Sequence, residues 1–234
     1  GSVHILVGDA RRHAACHPSI PAYFHYLFWM QPLEQSIRNC RLCASRFGAT
    51  ATAHEPRPVT WFQSNARILV VGQAPGMRVH LSGRPFTDRS GDRLRDWMGT
   101  PEPIFYDRDR IAIVPMAFCF PGYDLRGSDL PPPPVCAATW RNRIMEELNP
   151  EATLLVGGHA IRWHLGLRDV TAAVAGWRDH APRVWPLPHP SWRNTGWLKR
   201  NPWFAAELLP ALQETLARTL DPGPAQTMPG ETTR

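Results

Sequence analysis

Four of the five cysteines stand where their thiols can act together. Cys40 and Cys43 have two residues between them, a spacing that lets both ligate one centre, and Cys119 and Cys136 follow later in the chain. Four thiolates suit either a four-iron cluster or a structural zinc. Buried free thiols are the plainer alternative. Cys16 is left over. No basic start followed by an apolar core opens the chain, so a disulfide framework is not expected and a cytoplasmic protein is.

A second group able to do chemistry lies near the other end, in Leu187-Pro188-His189-Pro190-Ser191-Trp192-Arg193-Asn194. A histidine clamped between two prolines has little backbone freedom, so its ring is held. A held imidazole can donate a hydrogen bond to charge developing on a leaving group. Trp192 and Arg193 beside it suit wedging into a base stack and contacting phosphate, with Lys199 and Arg200 adding positive charge.

Two loops complete the set. Gly72-Gln73-Ala74-Pro75-Gly76 follows an apolar run directly. Its glycines and proline permit a tight turn whose backbone N–H groups can face an anion, although the same residues suffice for a turn without chemistry. Residues 83–91 (GRPFTDRSG) place Phe86 among Gly, Pro and Arg, where it can offer a stacking face or pack beneath the loop.

Positioning these groups falls to alternating elements. The runs at 66–72, 111–114 and 152–156, with a weaker one at 183–185, read as buried parallel strands. Helical spacing marks 26–40, 90–98 with Ser90 as its cap, 136–148, 159–165 and 203–220. The alternation predicts a three-layer α/β/α sandwich around a mostly parallel four-stranded sheet. Ligands of such sheets bind beyond the carboxyl ends of the strands, which directs attention to the loops starting at Gly72, Pro115, Gly157 and Pro186. Residues 3–220 are expected to form one domain with an irregular lead-in at 3–26, and 221–234 to form a disordered tail.

Composition says less. Lys and Arg outnumber Asp and Glu by 26 to 20, a net charge of +6 that is compatible with a polyanionic partner. No apolar run approaches the roughly twenty residues that span a bilayer.

Together these segments resemble the uracil-DNA glycosylase superfamily, particularly its iron–sulfur branches, often called families four and five. The match runs from about Cys40 to Leu216. Gly72–Gly76 matches the first motif, Gly83–Gly91 the stretch around Phe86 and His189-Pro190-Ser191 the second active-site motif, while the four cysteines fall in the family's order. The resemblance implies a four-iron (4Fe-4S) cluster on Cys40, Cys43, Cys119 and Cys136, structural or assisting DNA docking. It implies an enzyme that flips a nucleotide into the crevice and hydrolyses its N-glycosidic bond, and a monomer is the plain expectation for a protein that grips a duplex. Gly72, Pro75, Gly76, Phe86 and Pro115 would line the base pocket, with Phe86 stacking on the base. The Gln73-Ala74 amides and His189 would hold the departing base anion, and Ser191, Trp192 and Arg193 would hold phosphates and fill the gap.

Three positions depart from the family pattern. Ala74 stands where the best-known members carry a water-activating Asp or Asn, which makes Asp88 the first candidate for that carboxylate. Pro115 stands where many members read uracil with Asn, leaving backbone groups, Asn194 or Gln73 to read the base edge. Gly76 replaces the Tyr that excludes thymine. The expected activity is therefore a monofunctional glycosylase acting on uracil in DNA, or on hypoxanthine, xanthine or mispaired thymine. The alternatives are a non-catalytic module that binds damaged or abasic DNA, and an electron-transfer iron–sulfur protein.

Overall fold

Short apolar runs closed by glycine or proline become the strands of one sheet. The computed structural model describes residues 33–221. Its strands are β1 (Ile68–Val71), β2 (Ile111–Ile113), β3 (Ala152–Val156) and β4 (Val184–Leu187). They lie in the order β2-β1-β3-β4 and every pairing is parallel. Val70 sits opposite Ile113 on one side and Leu154 on the other. β1, β2 and β3 are buried throughout, because helices cover the sheet and leave no solvated face for polar alternation.

The helices are α1 (33–38), α2 (Ala44–Gly48), α3 (Met77–Ser82), α4 (Arg89–Met98), α5 (Glu102–Phe105), α6 (Pro134–Glu147), α7 (Gly158–Leu165), α8 (Val170–Ala175), α9 (Thr195–Arg200) and α10 (Leu209–Leu220). α10 continues from a π-helical stretch, Phe204–Leu208. It crosses α4, where Gln213 Nε2 donates to the carbonyls of Asp96 (3.1 Å) and Trp97 (3.3 Å) at the end of α4. The arrangement is the expected α/β fold, with a four-stranded, all-parallel sheet flanked by helices.

Several elements differ from the sequence expectation. β4 runs through Pro186 to Leu187, whereas the pattern ends that strand at Trp185; proline is tolerated because β4 is an edge strand. The cap of α4 is Asp88, which accepts from the Gly91 amide (3.2 Å); Ser90, the expected cap, lies inside the helix and donates to Asp88 Oδ1 (2.6 Å). α2, α3, α5, α8 and α9 are too short to show periodicity and have no counterpart in the sequence reading. The expected helix at 26–40 is described only from residue 33, and its helical part closes at residue 38. The lead-in, Cys16 and the tail beyond Asp221 lie outside the described residues. Among the described residues no helix is long and apolar enough to cross a membrane.

The sheet is extended first on one side of β1 and then on the other. The crossover from β1 leads to β2 on one side, and the next passes over β1 to β3 on the other. Loops leaving β1 and β3 therefore diverge, and the crevice between them is where this topology accepts ligands.

Candidate active site

The loop after β1 is built against the loop after β2. The Met116 and Ala117 amides donate to the carbonyls of Gly72 (2.9 Å) and Gln73 (3.2 Å). Across a planar peptide the N–H points opposite to the C=O, so the Gln73 and Ala74 amides are directed away from that segment. Gly72, Gln73, Ala74, Pro75 and Gly76 line a cavity of about 570 Å³, together with Phe86, Asp88, Pro115 and His189. Four segments far apart in the sequence thus converge at the carboxyl edge of the sheet.

Phe86 is held in an uncommon pose. Its φ is +53°, a left-handed conformation that costs a non-glycine residue energy and persists only where surroundings enforce it. The Tyr106 hydroxyl lies 2.9 Å from the carbonyls of both Pro85 and Phe86. Gly91 fits beneath the Phe86 carbonyl so closely that a Cβ there would stand 1.9 Å from the oxygen. The ring reaches over Gly72, where a Cβ would meet Phe86 Cζ at 3.4 Å, and meets Phe105 edge-on.

His189 follows β4 and is fixed from several sides. The Ser191 amide donates to its Nδ1 (3.2 Å) and Asn194 Nδ2 donates to its carbonyl (2.7 Å). Arg93 on α4 holds the Ser191 carbonyl (3.0 Å). Gly157, in a positive-φ conformation after β3 (φ +89°), lies against His189, where a Cβ would be in van der Waals contact with His189 Cβ at 3.5 Å. Burial pushes the imidazole below its usual range, and the Asp88 carboxylate pulls only partly the other way. The neutral ring accepts at Nδ1, so its proton resides on Nε2 and is available for donation.

The other expected residues are placed as follows. Asn194 does not line the cavity; its Nδ2 donates to the His189 carbonyl (2.7 Å). Asp88 lines the cavity while one oxygen, Oδ1, serves the α4 cap. Ser191, Trp192, Arg193, Lys199 and Arg200 lie outside the cavity; Trp192 is 74% exposed and Arg193, Lys199 and Arg200 are exposed.

Three residues carry no motif and escape the sequence reading. Asp129 lines the cavity from the segment between Cys119 and α6. Partial desolvation raises its carboxyl above the usual range, opposed by Arg193 and reinforced by Asp88. Tyr123 lines the cavity beside it. Arg141 on α6 is 2% exposed and donates to the carbonyls of Val114 (3.0 Å) and Pro115 (2.7 Å), so the Pro115 wall is anchored from behind by a buried guanidinium. Only the contact between distant elements reveals these residues.

The cysteines Cys40, Cys43, Cys119 and Cys136 line one separate, mostly apolar cavity with Phe47, Phe118 and Trp140. None is in a disulfide. Burial and the neighbouring thiols push Cys119 up to about 12 and Cys136 up to about 11. Such thiols keep their protons until a cation replaces them. Among the described residues no three His, Cys, Asp or Glu side chains are grouped as a single metal ion would need.

The family model of the uracil DNA glycosylase superfamily matches residues 59–213, more than half of the chain.

Replacing Gly91 by Ala forces a methyl into the Phe86 carbonyl, a backbone atom that no rotamer change can move aside. The expected outcome is a loss of roughly 1–3 kcal/mol or more in stability, read from the denaturant midpoint. A midpoint equal to that of the unaltered protein would mean that Phe86 does not need its left-handed pose.

Proposed function

Because the chain belongs to the uracil DNA glycosylase superfamily, we propose that it is a monofunctional DNA glycosylase that removes uracil from DNA and leaves an abasic site. The observation that carries this reading is the convergence of the Gly72–Gly76 turn, Phe86 and His189 on one cavity at the strand ends. In this reading the extruded base stacks on Phe86. The glycosidic bond breaks with its electron pair leaving on the base. His189 Nε2–H and the amides of Gln73 and Ala74 donate to that anion, while a water oxygen bonds to the sugar carbon and gives up a proton.

With Ala74 lacking a carboxylate, the proton acceptor comes from the cavity rim. Asp88 and Asp129 both reach it. Asp88 Oδ1 already holds the Gly91 amide and the Ser90 hydroxyl, whereas partial desolvation raises the Asp129 carboxyl above its usual range and makes it the stronger proton acceptor. Exposed Trp192 and Arg193, with Lys199 and Arg200, would meet the DNA stack and backbone.

Cys40, Cys43, Cys119 and Cys136 would hold a 4Fe-4S cluster, supported by their enclosure of one cavity with apolar walls. Bound there, the cluster would cross-link α1, α2, α6 and the segment after β2, and it takes no part in breaking the bond. A wider base range is favoured by Gly76, where open space surrounds the position of a Cβ. Hypoxanthine, xanthine and mispaired thymine belong to the same chemistry.

The deciding experiment is base release from oligonucleotides carrying uracil, hypoxanthine, xanthine or mispaired thymine, scored by alkali cleavage of the abasic site. Release of uracil is expected. Tight DNA binding without release from any of them would favour a damage-binding module instead. His189→Ala is expected to lower the single-turnover rate by roughly a hundredfold or more, the scale of one lost donor to a developing anion. An unchanged rate would remove His189 from the mechanism.

Comparing Asp88→Asn with Asp129→Asn assigns the rim carboxylates. The larger fall in single-turnover rate is expected for Asp129→Asn, and wild-type rates for both would dismiss a carboxylate base. Cys119→Ala is expected to yield colourless protein with a lower melting temperature; retained brown colour and full iron content would overturn the ligand assignment.

A further inference from the structure

Beside the cavity stands a turn whose tip, residues 124–128, neither the motifs nor the mechanism uses. Tyr123 and Asp129 face each other as an antiparallel bridge at its base, and both line the cavity. The Leu130 amide donates to the Gly122 carbonyl (2.9 Å) and the Asp124 amide to the Ser128 carbonyl (2.9 Å). At the tip, Asp124 Oδ1 accepts from the amides of Arg126 (2.8 Å) and Ser128 (2.9 Å), and Gly127 takes the left-handed conformation (φ +74°) that the reversal requires. The turn is therefore held by its own hydrogen bonds.

What it presents is apolar. Leu125 at the tip is 99% exposed, the most exposed large hydrophobic side chain among the described residues, and Arg126 beside it is also exposed. A turn shaped by local hydrogen bonds leaves Leu125 no route back to the core, so its apolar surface is left for something outside the chain. The other arm at the cavity mouth has the same make-up, an exposed Trp192 followed by an exposed Arg193. Arg193 lies close enough to Asp129, at the root of the turn, to act on its carboxyl.

We propose that the 123–129 turn is a second duplex-contacting arm, in which Leu125 enters the base stack beside the extruded nucleotide and Arg126 meets the backbone phosphate. The inference rests on the glycosylase reading for its partner, double-stranded DNA. The turn's continuity with the cavity wall and the pairing of an apolar tip with a cation argue for that occupant: the side chain goes into the stack and the charge goes to the strand. A single strand has no neighbouring base pair to hold apart, so the arm matters only on a duplex.

The test compares wild type, Leu125→Ala and Leu125→Met on one uracil-containing sequence, single-stranded and annealed. For Leu125→Ala, kcat/KM on the duplex is expected to fall about tenfold, the scale of one lost stacking contact, with the single-strand value unchanged and Leu125→Met close to wild type. Equal values on the duplex, or equal losses on both forms, would overturn the proposal. Release from the single strand by wild type tests the glycosylase reading by itself. Independently of any release, 2-aminopurine next to an abasic analogue in a duplex is expected to brighten on binding wild type and less so with Leu125→Ala. Identical brightening by the two would overturn the arm even if no base were ever released.

Discussion

Parallel strands send all their carboxyl ends to one edge of a sheet, and the loops that leave them must meet there. In this chain the meeting is shaped by the place of β1 between β2 and β3. The crossover leaving β1 goes to one side and the crossover leaving β3 goes to the other, so the loops that follow them diverge and a crevice opens. The same pairing sets depth. Val71 lies opposite Leu155, which brings Gly72 and Gly157 to the crevice floor, one beneath Phe86 and the other beneath His189. A Cβ at either glycine would touch the ring above it, and Gly157 also takes a φ of +89°, which favours glycine.

The cavity is made mostly of rigid groups. Phe86 is locked by its backbone, His189 by neighbouring amides, and the Gly72–Gly76 turn by the segment after β2. Charge is kept to the rim, where Asp88, Asp129 and Arg193 act on one another and His189 stays neutral. A neutral donor in a partly dry site costs less to maintain than an imidazolium and still strengthens as negative charge develops nearby. Ala74, Gly76 and Pro115 bring no polar side chain to the cavity, whereas Gln73, Ser90 and Tyr123 do.

Much of this was legible in the residues. β-branched runs stopped by glycine marked β1 and β3, and the proline-flanked His189 and the Gly72–Gly76 turn were found because their rarity is local. What escaped was set by distance. Nothing near Phe86 announces a left-handed backbone; the reason is the close approach of Gly91 and Tyr106. Asp88 reads as a catalytic candidate by proximity, and the helix it caps explains part of its presence. Nothing in the residues around Asn194 announces that its side-chain amide donates to the His189 carbonyl five residues earlier. Asp129 and Arg141 sit in segments with no pattern and gain meaning only through what they face.

The strand order also has a consequence for how the molecule comes into being. β1 is complete at Val71, but its neighbour β3 ends only at Val156, and His189 lies beyond both. At translation rates of about 5–20 residues per second, the ILVV run waits on the order of ten seconds for that neighbour. During that interval an apolar strand edge is bare, the condition under which chains associate wrongly or recruit chaperones. His189 joins the crevice only after β4 has been made, and a chain cut short before residue 189 lacks both that side chain and the buried face of α10.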